Sequence, residues 1–598
     1  VFNKRNVINI REVLAIMTVR YTNEKNTLIL IALLKAHRIN KVVASPGATN
    51  ISFVSGVQSD PFFTVYSAAD ERSAAYIACG LAEESGEPVV ITCTGATASR
   101  NYLPALTEAY YRKLPILAVT ATMPIGRIGQ LIPQNIDRSV VQNDIAKKSV
   151  YLCTCYSKEQ EWICGVHAND AILELTRNGG GPVHINLETV YSKDFSVEKL
   201  PNVRPIFRIE TDDAFPSLPR GNIGIFVGAH SKWNDRLTSA VDKFCKSHNA
   251  VVLCDQTSNY RGAYRSLSNL VTDQVGHSAD CNNFDLIIHI GNVSGAYLSF
   301  SVKETWRVNP DGEVRDTLKH LHYVFQMREE VFFEHFAEIG KSSDNTISAS
   351  WQKTYNDYRS RIPELPLSNI WFVSQIADKL PSNSVVHLGI LNTLRSWNFF
   401  ETPSDVLFYC NTGGFGIDGV LSSAVGASLF DPSKLYYCFI GDLAFFYDMN
   451  ALGNRHVSNN LRVVLVNNGK GTEFRNYNHR AAILGEAADL FVAAAGHYGA
   501  KSPTLAKHYA EDLGFEYIGV YSKDDARAAI EQLIQPAISE KPLFVEIFTD
   551  SKDESDALYA ITHLFGESHS VRGTFKKVFG RGGIRFLNCI RTRIKKRK

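Results

Sequence analysis

Leu435-Tyr-Tyr-Cys-Phe-Ile-Gly-Asp442 and, ending 26 residues after that aspartate, Val463-Val-Leu-Val-Asn-Asn468 decide how this chain is read. Each is a short apolar run closed by Gly, Asp or Asn, the pattern of a buried strand running into a loop. A helical pattern over 444–456 between them makes a crossover, so the two strands are parallel. Open parallel sheets hold ligands beyond the carboxyl ends of their strands, which is where Asp442 and Asn468 fall. A carboxylate with an amide oxygen suits Mg2+ or Ca2+ completed by water and phosphate. Either residue taken alone reads first as a turn or helix cap.

The same alternation continues on both sides. Val385–Leu388 and residues 406–410 and 542–547 add strands to this third block. A second block holds Ile223–Val227, Ala250–Cys254 and 286–290. The first holds Lys41–Ala44, 88–92, 115–119 and 183–187, with helical patterns at 69–84 and 102–112. Residues 190–220 are polar and rich in proline, which predicts a linker. The expected fold is α/β, with three doubly wound parallel-sheet domains: 1–195, 196–360 and 361–565, then a basic tail at 566–598.

The 598 residues are 45% hydrophobic and 21% charged, with 33 Phe and 25 Tyr, which excludes disorder as the main state. No apolar run approaches the ~18–20 residues that span a bilayer. The first residues are polar and lack a signal-peptide core, so a cytoplasmic chain is expected. The eleven Cys are scattered. Cys153, Cys155 and Cys164 cluster without a fourth ligand or a CxxC pair, and read as reduced, packed thiols. Eleven of the 63 Lys and Arg lie in 568–598, which has no Asp or Glu, so the rest of the chain is mildly acidic. Apolar residues such as Phe575, Phe579, Phe586 and Ile590 are interleaved there with cations. That mixture suits an anchor at the inner membrane face, with a solvated tail as the plain alternative. The acidic body and the lack of a stacking platform argue against nucleic acid.

One competing motif is Gly414-Phe-Gly416-Ile-Asp-Gly419, a literal GxGxxG after a strand, with Asp442 at the next strand end. It matches a dinucleotide-binding unit but leaves Asn467 and Asn468 without a role.

Gly441-Asp442 followed by Asn467-Asn468 resembles the thiamine-diphosphate signature. Asn411-Thr-Gly-Gly414-Phe-Gly416-Ile417-Asp418-Gly419, Tyr447-Asp-Met-Asn-Ala-Leu452, Ser45-Pro-Gly47, Asp70-Glu71-Arg72 and Tyr102-Leu-Pro-Ala-Leu106 extend the likeness over roughly residues 25–550. Together they are similar to the 2-succinyl-5-enolpyruvyl-6-hydroxy-3-cyclohexene-1-carboxylate (SEPHCHC) synthase family of menaquinone biosynthesis. The resemblance implies thiamine diphosphate and Mg2+ as cofactors. Asp442, Asn468 and the Lys470 carbonyl would ligate the metal. Gly414, Gly416, Ile417, Asp418, Gly441, Leu443 and Gly471 would line the cofactor, with Ile417 as the wedge that bends it. Glu71 would bond its aminopyrimidine ring, a role that needs a carboxylate in a dry pocket. Members place their active site across a dimer interface, so a homo-oligomer is implied.

The family grips two anionic substrates, 2-oxoglutarate and isochorismate, through cationic side chains. Here Thr49, Met123 and Thr412 stand where the family has Arg, and its central Lys-Arg pair falls on Ala296-Tyr297. Gln134 and Arg395 match, and are the candidate substrate-facing catalytic residues. Lys470, Arg475, His479 and Arg480 are either acceptor contacts or a solvated loop. The expected activity is decarboxylation of a 2-oxo acid with transfer of the acyl-anion equivalent to an unidentified acceptor, and not the menaquinone reaction. The chain has no His from 39 to 166, which sets it apart from pyruvate decarboxylases with their His pair. The alternatives are a non-ligating decarboxylase and a non-catalytic cofactor-binding scaffold.

Overall fold

Parallel sheets flanked by helices recur along the chain, in the computed structural model that describes residues 19–296, 299–341 and 344–566. Two units are distinct: residues up to Ala214 with Asp311–Gln326, and Phe215–Pro310 with the chain from Met327. The basic segment 568–598 and Tyr297 lie outside the described residues.

In the first unit β1 (Lys41–Ala44), β2 (Thr64–Ser67), β3 (Val89–Cys93), β4 (Ile116–Thr122), β5 (Lys148–Leu152) and β6 (Val183–Glu188) form one sheet, ordered β2-β1-β3-β4-β6-β5. Every pairing is parallel. Leu117 and Val119 face the core under the helices Lys25–Ala36 and Lys158–Glu174. Ile116 and Ala118 face the one under Glu71–Ser85 and Leu103–Arg112. That is the two-residue period of a strand buried on both sides. Cys155 and Cys164 sit thiol to thiol at 3.4 Å in this unit.

Residues 190–220 hold the boundary between the two units, at 214/215, as their composition predicts, but they are an ordered strap rather than a bare linker. β7 (Phe207–Ile209) lies within them and pairs in parallel with Leu321–Phe325. The Asn169 side chain holds the approach to it, donating to the Arg204 carbonyl (3.1 Å) and accepting from the Ile206 amide (2.8 Å). Arg204 itself pairs with Asp316 at 2.6 Å. Proline lacks an amide donor and disfavours helix, but it does not prevent an ordered strap.

In the second unit β8 (Ile223–Val227), β9 (Ala250–Cys254), β10 (Arg265–Leu267), β11 (Asn283–Ile290) and β12 (Ser301–Val308) are parallel neighbours in the order β10-β9-β8-β11-β12. With Leu321–Phe325 as β13, the last sheet comprises β14 (Val385–Leu388), β15 (Leu407–Cys410), β16 (Tyr436–Gly441), β17 (Leu461–Asn467), β18 (Glu516–Val520) and β19 (Leu543–Phe548). Its order is β15-β14-β16-β17-β19-β18. The chain leaves β14 toward β15 and then returns to the other side for β16. A crevice therefore opens between the carboxyl ends of β14 and β16. The first sheet does the same between β1 and β3. The crossover after β16 is shorter than its pattern predicts. A helix over Asp442–Asp448 passes into a tighter turn at Met449–Gly453, so Asp442 is the first helical residue. No helix of the described residues is long and apolar enough to cross a membrane.

Candidate active site

At the β14/β16 crevice lies a cavity of about 200 Å3, lined among others by Ile417, Gly441, Asp442, Asn468, Glu473 and Glu554. Register places Gly441 of β16 beside Val466 of β17, so the two strand ends present Asp442 and Asn468 together. Asp442 is buried, and its carboxylate accepts from the Leu443 amide (2.7 Å), the Gly469 amide (2.6 Å) and the Asn468 amide (3.1 Å). Burial pushes its pKa up to about 6, against the pull of those donors.

The two asparagines differ. Asn467 is structural: its amide donates to buried Glu546 of β19 at 2.6 Å, and its oxygen accepts from the Gly469 amide at 3.2 Å. Asn468 Oδ1 is buried without a hydrogen-bond partner. A buried amide oxygen left unpaired beside a buried carboxylate is a donor set that a hard cation completes. A Cβ at Gly441 or Gly414 would meet nothing within 4 Å, so the backbone there is open to a ligand. Lys470 and Gly471 also line the cavity, and Lys470 turns its ammonium away to Asp489 at 2.7 Å. These residues fit a metal-diphosphate group. Leu443 and Ile417 complete its wall, and Ile417 packs on the apolar core beneath β16 and β17. Gly416 and Asp418 stand on the same loop, with Asp418 exposed.

Arg395, on the helix Asn392–Trp397, reaches this crevice through Glu473, which lines the cavity. Leu391, just before it, has φ +61°, a conformation that costs a branched side chain energy and marks a constrained turn. The Arg395 guanidinium is gripped on two sides by Glu473, Nη1 to Oε2 at 2.9 Å and Nη2 to Oε1 at 3.0 Å. Their side chains are 13% and 14% exposed. Asn392 accepts from the same guanidinium at 2.9 Å, and Asn476 donates to Glu473 at 3.0 Å. Of the other cations in this loop, Arg475 joins Lys470 on Asp489, His479 caps its own turn through the Ala481 amide, and Arg480 is exposed.

Sequence reasoning missed Glu473 and Glu554. Glu554 accepts from the Asn369 amide (2.9 Å) and the Thr549 hydroxyl (2.8 Å), and burial pushes its pKa up to about 7. Glu473 sits in a loop whose sequence is dominated by cations. Its 78-residue separation from Arg395 leaves no local signal.

The other expected residues of the first unit lie on the segments that follow β1, β2 and β4. Ser45 continues from β1 with its amide bonded to the Thr92 carbonyl at 2.9 Å. A side chain at Gly47 would collide with Thr94, its Cβ 1.8 Å from Cγ2, so glycine is required there. Asp70 caps the helix Glu71–Ser85 through the Ser73 amide (2.7 Å). The cap is therefore supplied without the Glu71 carboxylate, which remains available for another partner. Its charge reaches Cys93 and Tyr102. Gln134, at φ +63°, is exposed on the segment that passes Gly95. Thr49 is buried, and Met123 is half-buried after β4. Thr412, after β15, is also buried.

Two family models match the chain: the N-terminal TPP binding domain of thiamine pyrophosphate enzymes over residues 26–145, and their C-terminal TPP binding domain over residues 393–547. The second includes Gly414–Gly419, which removes the dinucleotide reading. The 2-succinyl-5-enolpyruvyl-6-hydroxy-3-cyclohexene-1-carboxylate synthase of Bacteroides thetaiotaomicron is 33% identical over 570 residues, covering 91% of this chain and 99% of the relative. The synthase of Bacteroides fragilis is 31% identical over 574 residues with the same coverage. That of Flavobacterium psychrophilum is 28% identical over 561 residues, covering 86% and 94%. With both crevices built as described, the chain belongs to the SEPHCHC synthase family of thiamine-diphosphate-dependent carboligases.

Proposed function

We propose that this carboligase takes as donor a 2-oxo acid without a second carboxylate, and transfers the acyl-anion equivalent left after decarboxylation to a carbonyl or enone acceptor. The observation that carries this is the Arg395–Glu473 pair: the one matched cation in this crevice already has a carboxylate of the chain on both of its donor sides. A dicarboxylic donor would have to displace Glu473 or be repelled by it. Thr49, Met123 and Thr412 supply no replacement charge.

Asp442, Asn468 Oδ1 and the Lys470 carbonyl would hold Mg2+, and through it the diphosphate, against Gly414, Gly416, Asp418, Gly441, Leu443 and Gly471. Ile417 would support the bend of the cofactor. Bound thiamine diphosphate supplies the nucleophilic carbon and the electron sink for loss of CO2. Glu71 would hold and move a proton at the aminopyrimidine nitrogen, acting across a homodimer as the family's architecture implies. Gln134 would face the substrate. The apolar cavity walls would keep water from the reacting carbon. The basic tail would hold the enzyme at the inner face of an anionic membrane.

The test is CO2 release by the Mg2+-loaded holoenzyme from paired mono- and dicarboxylic 2-oxo acids, with and without acceptor aldehydes. Preference for 2-oxobutyrate over 2-oxoglutarate supports the reading, and acceptor-dependent product separates a carboligase from a simple decarboxylase. The names of the relatives favour a second reading, condensation of 2-oxoglutarate with isochorismate. Robust consumption of that pair would replace the first reading with the second.

A further inference from the structure

Between β4 and the helix Leu103–Arg112, the first unit has a smaller cavity of about 20 Å3, lined by Arg100, Tyr102, Thr120, Arg138 and His184 among others. Arg138 is only 5% exposed. One of its nitrogens, Nη2, donates to the Ala121 carbonyl at 2.9 Å. The other two, Nε and Nη1, are buried and have no hydrogen-bond partner. No carboxylate among the described residues pairs with it. Asp137, its neighbour, accepts instead from the amide and hydroxyl of Ser139 at 2.9 and 2.6 Å.

The surroundings add a second cation, and the negative charge that reaches the cavity wall is that of Glu71, felt at Tyr102 and Cys93 but not paired with Arg138. Arg100 lines the same cavity and donates to the Asp137 carbonyl at 3.0 Å. Burial and the Arg100 charge push Arg138 down to about 10. Burial and both guanidiniums push His184 down to about 3, so its ring is neutral, engaged by Thr120 (2.8 Å) and Ser149 (2.9 Å). A guanidinium is not deprotonated at physiological pH. Burying it without a counter-charge is far more costly than burying a neutral donor. Water in the cavity would satisfy hydrogen bonds but not charge.

We propose that this cavity is an anion site, in which one small monovalent anion of chloride size sits against Arg138 Nε and Nη1 and within the field of Arg100. The volume matches about one water-sized occupant, which excludes sulfate, phosphate and organic acids. The segment so anchored is the one that carries Gln134. Arg138 Nη2 and the Gln134 carbonyl both lie within 4 Å of where a Cβ on Gly95 would be. The anion would therefore brace the segment that carries Gln134, and on the proposed function that segment faces the substrate.

The test uses the full-length holoenzyme at constant ionic strength, with chloride replaced stepwise by gluconate. Chloride should raise the melting temperature saturably, by on the order of 1–3 °C at tenfold excess over its Kd. Bromide should substitute, and gluconate should not. Crystals soaked in bromide should show an anomalous peak beside Arg138. Arg100→Gln, at an exposed position, should weaken the chloride dependence several-fold, and Arg138→Gln should abolish it if that variant folds. An ordered water or a carboxylate of a second subunit in place of the bromide peak overturns the proposal. Equal melting temperatures in chloride and gluconate overturn it as well.

Discussion

Replacing Glu473 by Gln removes the charge opposite Arg395 while keeping the shape of the side chain. In the wild type, two charge-assisted hydrogen bonds of 2.9 and 3.0 Å close a pair whose side chains are 13% and 14% exposed. Such bonds are worth about 1.5–3 kcal/mol each. The amide returns one neutral acceptor, so the variant leaves a nearly buried guanidinium short of one charged partner. The free enzyme should lose about 1–3 kcal/mol of stability, read as a lower melting temperature. A distal carboxylate on the donor is then no longer repelled by Glu473 and can displace the neutral amide from Arg395, recovering about 1.5–3 kcal/mol. The ratio of kcat/KM for 2-oxoglutarate over 2-oxobutyrate should therefore rise by roughly 10–100-fold, mostly through KM for the dicarboxylate. Steady-state CO2 release with both donors measures it. An unchanged ratio, in a variant whose cofactor affinity is also unchanged, would show that Arg395 does not face the donor, and the specificity argument would fail.

Asp442→Ala should greatly weaken thiamine diphosphate binding and remove its dependence on Mg2+, measured by calorimetry; equal wild-type affinity with and without metal would sink the assignment of Asp442 and Asn468. Glu71→Gln should keep the fold and most of the cofactor affinity but slow deuterium exchange at the cofactor's reactive carbon by orders of magnitude, because an amide donates a hydrogen bond without relaying a proton. Glu554 has its folded pKa raised to about 7 from an ordinary 4.5. The folded apo-protein therefore holds a proton that the unfolded chain releases, and stability falls as pH rises from about 4.5 to 7, by up to about 3 kcal/mol. Glu554→Gln should flatten that slope in thermal melts and raise the melting temperature at pH 8; an unaltered slope would assign the ionisation elsewhere. The full chain should co-sediment with anionic vesicles at low salt and a version truncated after Glu567 should not, whereas both remaining in the supernatant would make the tail a soluble extension.

How much of this was legible in the sequence follows from how local each signal is. Asp442 and Asn468 were readable because each ends a buried strand, and the parallel register that brings them together is dictated by a single crossover. The distinction between Asn467 and Asn468 was not. It depends on Glu546, a residue of β19 nearly eighty positions away, which claims one amide and leaves the other oxygen unpaired. The buried strands β3, β4 and β17 announce themselves as apolar runs. Edge strand β2 exposes three of its four residues and carries no such run. β7 escaped notice because its only strand neighbour in the first unit, β13, lies more than a hundred residues downstream. The substrate pocket shows the same limit in charge. Counting the missing arginines gave the direction of the change, a less cationic site. Whether the remaining Arg395 is available to a substrate is a property of a pair, and Glu473 belongs to a loop that composition alone marked as basic. Charge balance in a pocket is a sum over segments that only folding brings together. The residue types of a site can therefore be read from a chain well before its specificity can.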